Sequence, residues 1–210
     1  MKIIDISVSV EKRMLLWPKT PRPRLLSVSS ISKGDAANET RLDISVHTGT
    51  HIDAPLHFLS KGGSIDTMSL KKFMGPAFVA RVPKVKAITA KHLDKLKLPK
   101  GIDRLLLRTS NSKFWGKREL GFQKNYVGLT SDAASWLAKR GMQLVGVDYL
   151  SVAKFDEIVP VHRILLTKKI ALLEGINLNH VKQGVYYLIC LPMKISNLEA
   201  APVRAILIKK

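Results

Sequence analysis

Residues 47–57 read HTGTHIDAPLH and concentrate four side chains that could bind a metal or transfer a proton: His47, His51, Asp53 and His57. Imidazole is the commonest metal ligand in proteins, and a nearby carboxylate can complete or bridge a zinc or manganese site. A single histidine on an apolar face is usually an ordinary core residue. Four such groups among small neighbours can converge on one point, so this segment predicts a metal or catalytic site.

The backbone of this segment is predicted to be extended. One glycine, two β-branched threonines and a proline oppose a helix, so the pattern is not the helical H-E-x-x-H motif of zinc proteases. Alternate residues of an extended chain share a face, which would place His47, His51 and Asp53 together. The run Asp53-Ala54-Pro55 predicts a tight exit from the strand, with His57 just beyond it.

Two carboxylates that end apolar runs are further candidates for the metal or catalytic site. Glu174 follows the apolar run 170–173 and needs a partner, because burial of an unpaired charge is costly. Either a metal ion or an arginine could be that partner. Asp148 ends another apolar run, and is either an outer partner that orients a histidine ligand or a structural acid in a turn. From spacing alone, His162 is weak evidence for a site.

The segment HTGTHIDAPLHF resembles the signature of the cyclase family of metal-dependent hydrolases, and is most like its kynurenine formamidase (arylformamidase) branch. The similarity is not confined to this segment, and it continues in order along essentially the whole chain. The other similar segments are 4–7, 16–18, 104–110, 145–148 with 151–152, and 201–205.

The resemblance implies two divalent metal ions in each chain, with zinc most expected and manganese as the alternative, since an all-nitrogen and oxygen ligand set suits both. His47, His51 and Asp53 match the ligands of the first ion, with Asp53 bridging to the second. His162 and Glu174 match the remaining ligands of the second ion. The family also implies a swivelling β/β/α fold and a homodimer or higher homo-oligomer.

The implied reaction is the hydrolysis of an amide, N-formylkynurenine to kynurenine and formate, by a metal-bound hydroxide, in tryptophan catabolism by the kynurenine pathway. His57 matches the residue that donates and accepts the proton, and such assistance typically gives ~100- to ~10,000-fold. Trp17 is a candidate wall for an aromatic substrate, with ordinary packing as the alternative. Hydrolysis of a cyclic amide or lactone, as in isatin hydrolysis, is the second candidate reaction.

Three short segments depart from the family pattern. Lys19 and Thr20 stand where Gly-Asp is usual, Tyr149-Leu150 replaces a smaller pair, and residues 199–201 read Glu-Ala-Ala where Asp-Gly-Ser is common. None of these segments includes a metal ligand implied by the family. Lys19 is either a partner for a substrate carboxylate or a solvated turn residue.

The charge of the chain supports a rival interpretation. Thirty-five Lys and Arg against 16 Asp and Glu give a net charge of +19, which is typical of many nucleic-acid-binding proteins. The basic residues are spread along the chain, aromatic residues are 6% of it, and no nucleic-acid-binding motif occurs. A basic binding protein with a structural metal is therefore the less favoured alternative, and no specific nucleic acid is expected as a partner.

Length and hydropathy indicate one hydrolase domain over residues 1–210. No apolar run approaches the ~18 residues of a membrane span, and the N-terminus resembles a strand more than a signal peptide, so a cytoplasmic protein is expected. A single cysteine, Cys190, excludes an internal disulfide and is expected to be buried.

Apolar periodicity and turn residues predict a strand-rich α/β or α+β fold with a few helices. Thr89 and Thr130 are predicted N-caps of two helices, and Gly141 ends the second. The predicted strands are 3–10, 25–31, 40–47, 75–82, 104–109, 144–147, 170–174, 185–191 and 203–208.

Overall fold

A nine-stranded mixed sheet dominates the computed structural model, which describes residues 1–117 and 120–209. The sheet order is β1-β11-β9-β5-β6-β7-β8-β4-β10, while β2 and β3 form a separate hairpin. The strands are β1 (Lys2–Asp5), β2 (Arg24–Ser29), β3 (Glu39–Asp43), β4 (His51–Asp53), β5 (Met74–Arg81), β6 (Arg104–Arg108), β7 (Leu144–Val147), β8 (Ala171–Glu174), β9 (Gly184–Ile189), β10 (Ala200–Pro202) and β11 (Ile206–Lys209).

The four central strands, β5 to β8, are parallel to one another and separate two hydrophobic cores. Strands β6 to β8 are short apolar runs because both of their faces are covered. Leu105 and Leu107 pack with the helices on the outer face, whereas Leu106 and Leu173 belong to the core on the opposite, inner face. The predicted strand-rich α/β class is confirmed.

Three helices cover the outer face of the central strands: α1 (Ala90–Asp94), α2 (Ser131–Lys139) and α3 (Ile158–Thr167). The first two begin at the predicted N-caps, Thr89 and Thr130. No helix in the described part of the chain combines the length and the hydropathy that a membrane span requires.

Helix α3 was not predicted from the sequence. Its first turn contains Pro160, which usually argues against a helix interior but is tolerated there because early N–H groups lack intrahelical partners. Its buried residues follow helical spacing: Val161, His162, Leu165 and Leu166. The helix therefore carries one of the candidate ligands into the protein.

The extended segment predicted to carry the first three ligands is shorter than expected. Strand β4 contains His51 and Asp53, but His47 lies in the turn before it. Gly49 has φ +70°, which bends the chain between the two histidines. The prediction of one continuous strand is therefore wrong for His47, which approaches the other two side chains from a turn.

Two glycines bring the ends of β4 and β8 into close backbone contact. A side chain on Gly175, which has φ +67°, would place its Cβ 2.0 Å from the carbonyl oxygen of Gly49. Thr50 fixes this contact, since its hydroxyl donates a 2.5 Å hydrogen bond to the Gly175 carbonyl and accepts one from the Val8 amide. The geometry beside Glu174 thus requires glycine at position 175.

Replacement of Gly175 by alanine is expected to destabilise the protein by about 3 kcal/mol or more, because left-handed strain adds to a backbone clash. Gly141 provides a matched control, since it has φ +66° and a Cβ at this position would meet no atom of the described residues within 4 Å. Gly141→Ala should cost only about 1 kcal/mol in urea unfolding. Equal losses for both variants would contradict the close contact.

Candidate metal centre

His47, His51 and Asp53 form the first candidate ligand set. The Nδ1 of His47 lies 3.1 Å from Oδ1 of Asp53, and the Nε2 of His51 lies 3.4 Å from the same oxygen. The three residues offer ligand atoms within 4.8 Å of one another, a spacing that allows all of them to contact one ion. The Asp53 side chain is fully buried at this point.

The second candidate set uses the other oxygen of Asp53. Its Oδ2 lies 3.8 Å from Nε2 of His162, which lies 3.3 Å from Oε1 of Glu174. Asp53, His162 and Glu174 also offer ligand atoms within 4.8 Å of one another. Oε2 of Glu174 lies 3.5 Å from Nε2 of His51, which joins the two sets. The structure thus brings together all five residues that the sequence predicts as ligands.

Each candidate histidine has a second contact that fixes its ring. The Nδ1 atoms of His51 and His162 lie 2.9 and 2.7 Å from the backbone carbonyls of Gly49 and Ile158, which leaves Nε2 directed at the carboxylates. The Nε2 of His47 faces Oε1 of Glu199 at 3.5 Å while its Nδ1 faces Asp53. Such outer partners set the tautomer and orientation of a metal ligand.

Polar atoms at the centre of the site lack hydrogen-bond partners within the described residues. They are Nε2 of His47, Nε2 of His51 and both carboxylate oxygens of Asp53. Buried polar atoms are normally paired, and divalent cations held by the two sets would satisfy Nε2 of His51 and both oxygens of Asp53. Their mixed nitrogen and oxygen chemistry suits zinc or manganese, so the residues fit the metals that the resemblance implies.

The charges at the site also fit a cation. In the part of the chain that the structure describes, Glu174 contacts histidines and the Val152 amide, so the arginine partner considered from the sequence is not found. Burial opposes a charge on His51, yet the Asp53 and Glu174 carboxylates raise its pKa to about 9. Burial likewise opposes ionisation of Asp53, but the flanking imidazoles hold its pKa well below its usual value.

His57 lies beside both ligand sets and belongs to neither of them among the described residues. It ends the 3-10 turn Pro55–His57, and its ring centroid lies 4.2 Å from that of His47 and 6.1 Å from that of His162. Burial lowers the pKa of His57, so the ring is neutral at neutral pH and can accept a proton.

A cavity of about 310 Å³ opens over the candidate ligands, a size in the range of small-molecule sites. Trp17 and Phe58 contribute its aromatic surfaces. Phe58 stacks on His162 at 4.4 Å, and Trp17 stacks on Phe155 at 5.8 Å and meets Phe122 edge-on at 4.8 Å. The Trp17 ring is therefore packed against other aromatic rings and also lines the cavity.

Asp148 and Lys19 lie outside this arrangement. Asp148 is buried and accepts hydrogen bonds from the amides and hydroxyls of Thr109 and Ser112, so it is a structural acid that holds a loop. Lys19 is exposed in a left-handed turn with φ 70° and does not line the cavity. Cys190 is buried, as predicted.

Sequence reasoning missed two residues of the site. Glu199 was noted only as a departure from the family pattern, yet it faces His47. Ser151 is buried and lines the cavity next to Val152, whose amide donates to Glu174. A polar residue after the buried run that ends at Val147 was the available signal for Ser151. No signal in the sequence connects Glu199 with His47.

Metal content should separate the roles of Asp53 and His57. Asp53→Asn is expected to remove both ions, because Asp53 belongs to both sets. The loss of affinity should exceed the ~10- to ~100-fold that is typical for an outer partner. His57→Asn should retain both ions when measured by mass spectrometry of the metals after dialysis. Loss of metal from His57→Asn would show that the assignment is wrong.

Glu199→Gln should weaken binding of the first ion about 10-fold, because the His47 ring would lose its anionic outer partner. The second ion should bind unchanged, since Glu199 faces His47, which belongs only to the first ligand set. Titration with a competing chelator measures both constants. Equal weakening of both ions, or no change in either, would rule out a role specific to His47.

Comparison with known proteins agrees with this geometry. The family model described as "Putative cyclase" matches residues 4–154. Cyclase-like protein 3 of Oryza sativa subsp. japonica is 40% identical over 86% of this chain and 69% of its own length. A kynurenine formamidase of Bacillus cereus is 37% identical over 97% of this chain and 96% of its own length.

A solved structure shares the whole architecture. It is described as a potential metal-dependent hydrolase with cyclase activity, and it superposes with a TM-score of 0.85 at 30% sequence identity. The match covers 98% of this chain and 96% of the other. The resemblance inferred from the histidine-rich segment is thereby confirmed, and the chain belongs to the cyclase family.

Proposed function

We propose that this protein is a metal-dependent amide hydrolase that converts N-formylkynurenine to kynurenine and formate. The observation that carries the proposal is the pair of ligand sets that share Asp53 at one end of a cavity with aromatic walls. His57, which is in neither set, is within reach of the same space. The similarity to a kynurenine formamidase over nearly the whole of both chains supports the substrate class.

Two divalent ions are proposed as cofactors, zinc first and manganese as the alternative. His47, His51 and Asp53 would hold one ion, and Asp53, His162 and Glu174 the other. Divalent ions in such sites activate water and polarise a carbonyl group.

His57 supplies the proton transfer in this proposal. Its ring is held between the ring of His47 and the side chain of Phe58, whose centroid lies 4.5 Å away, so its direction toward the cavity is constrained. A neutral imidazole can take a proton from the attacking water and return it to the departing nitrogen. A nitrogen attached to an aromatic ring leaves comparatively easily, which makes one such group sufficient.

The cavity walls suit an aromatic amide. Trp17, Phe58, Leu150 and Ile158 offer apolar surface, and this surface excludes water from the reacting bond. The hydroxyl groups that line the cavity, from Thr20, Ser45 and Ser151, are available to polar parts of the substrate. The net charge of +19 favours the approach of an anionic substrate, and N-formylkynurenine carries a carboxylate.

We further propose that the protein acts in tryptophan catabolism by the kynurenine pathway, in the cytoplasm, as a homodimer or larger assembly. No specific nucleic-acid partner is proposed for its basic surface. Isatin-type hydrolysis of a cyclic amide is the second candidate reaction, because opening a cyclic amide needs the same ligand sets and aromatic wall.

The direct test is hydrolysis of N-formylkynurenine and of isatin by protein loaded with zinc or manganese. We expect N-formylkynurenine to be the better substrate. His57→Asn should lower kcat ~100-fold or more with bound metal retained, whereas His180→Asn, at an exposed position, should leave kcat unchanged. Preference for isatin would favour the second candidate, and no hydrolysis of either compound would contradict the proposal.

The contribution of the aromatic wall is tested with two tryptophans. Trp17→Ala should raise KM about 10-fold, because it removes a surface that contacts the substrate ring. Trp136 does not line the cavity and packs against Arg140 at the end of α2, so Trp136→Ala is the matched control and should leave KM unchanged. Equal effects of the two replacements would show that Trp17 acts through stability alone.

A further inference from the structure

His57 differs from the other histidines of the site in how its ring is held. The Nδ1 atoms of His51 and His162 face backbone carbonyls, and His47 lies between two carboxylates. Within the described residues, the His57 ring packs against the rings of His47 and Phe58 but forms no hydrogen bond. Its position beside the candidate ligands therefore depends on the backbone turn that carries it.

This turn is closed by a loop that folds back on it. After the 3-10 turn Pro55–His57 the chain reverses direction, and the Gly62 amide donates a 2.8 Å hydrogen bond to the Leu59 carbonyl. The Leu56 amide, within the turn, donates to the Gly63 carbonyl at 3.1 Å. The two ends of the loop are thus bonded to each other, and we call residues 56–63 the closed loop.

Gly62 lies directly against the backbone of the turn. A Cβ at this position would lie 2.4 Å from the carbonyl carbon of Pro55 and 2.5 Å from the amide nitrogen of Leu56. Both distances are steric overlaps, and both atoms belong to the backbone, so they cannot rotate aside as the end of a side chain can. Only a residue without a side chain permits so close an approach.

We propose that Gly62 is a positioning residue for the reaction, because its backbone contact sets where the His57 ring meets the substrate. This inference rests on the proton-transfer role that the proposed function gives to His57. Proton transfer needs the ring within hydrogen-bond reach of the reacting group, so a displacement of ~1 Å can lower the rate ~100-fold. A side chain at position 62 would be accommodated only if the turn or the closed loop moved.

The candidate ligands are positioned by other elements. His51 and Asp53 lie on β4, His162 lies on α3, and Glu174 ends β8. The pairing of β4 with β8 and the burial of α3 do not involve the closed loop. Movement of the turn should therefore impair proton transfer and leave the bound metal in place.

A double-mutant cycle of Gly62→Ala and His57→Asn tests this role in zinc-loaded protein with N-formylkynurenine as substrate. Gly62→Ala alone should lower kcat about 10- to 100-fold, change KM less than kcat, and retain the metal. In the His57→Asn background it should change kcat less than about 2-fold, because the ring that it displaces is already absent. Equal losses in both backgrounds, or loss of metal from Gly62→Ala, would overturn the proposal.

Gly63→Ala is the matched control in the same loop. Neither glycine has a positive φ, and among the described residues a Cβ at Gly63 would meet only the Thr67 hydroxyl, at 3.0 Å. Thr67 is exposed and its side chain can rotate, and the Gly63 carbonyl that accepts from Leu56 is retained. Gly63→Ala should keep kcat within about 2-fold of the unmodified protein. A loss as large as that of Gly62→Ala would also overturn the proposal.

Hydrogen exchange of the unmodified protein tests the closed loop without any measurement of activity. The backbone amides of Leu56 and Gly62 should exchange at least ~100-fold more slowly than in an unfolded chain, because both are hydrogen-bonded within the loop. Fast exchange at both positions would overturn the proposal even if Gly62→Ala does not fold. Slow exchange in a protein that hydrolyses neither N-formylkynurenine nor isatin would contradict the role of His57 and not the backbone contact.

Discussion

A carboxylate with no solvent exposure, Asp53, lies among three imidazole rings at the point where β4, α3 and the end of β8 meet. Burial of this charge is costly unless opposite charge compensates it, and Glu174 adds a second buried carboxylate nearby. The raised pKa of His51 and the lowered pKa of Asp53 have the same origin, because each reflects a demand for positive charge at this point. Divalent cations would meet that demand more fully than protons do.

Short strands in a fixed register, together with one helix, hold the candidate ligands close to Asp53. Strand β4 pairs with β8 so that His51 lies directly opposite Glu174. The close contact between Gly49 and Gly175 holds the turn that carries His47 against the end of β8. Helix α3 presents His162 from the other side. The candidate centre therefore depends on contacts between segments far apart in the chain, and a loss at one of them should affect both ligand sets.

Much of the candidate site was predictable because ligand chemistry is local in sequence. Three of the five candidate ligands and His57 lie within one segment, and Glu174 was recognisable as an acid at the end of an apolar run. Helix α3 was missed because Pro160 in its first turn obscured the pattern. The contact between Glu199 and His47 joins residues 152 positions apart, and only the pairing of β10 with β4 brings them together.

The residues at which strands begin and end were harder to predict than the presence of the strands. The strand predicted at residues 40–47 ends at Asp43, so His47 is positioned by a turn that local propensity did not indicate. The strand-rich fold class and the central strands could be predicted, because the sequence contains apolar runs as short as typical buried strands.

In the proposed function, Asp53 joins two metal ions in one site. Anomalous diffraction from crystals grown with zinc would test it most directly. We expect two peaks per chain about 3.5–4 Å apart, with one oxygen of Asp53 on each ion, His47 and His51 on the first, and His162 and Glu174 on the second. A single ion, or two ions without Asp53 between them, would contradict it.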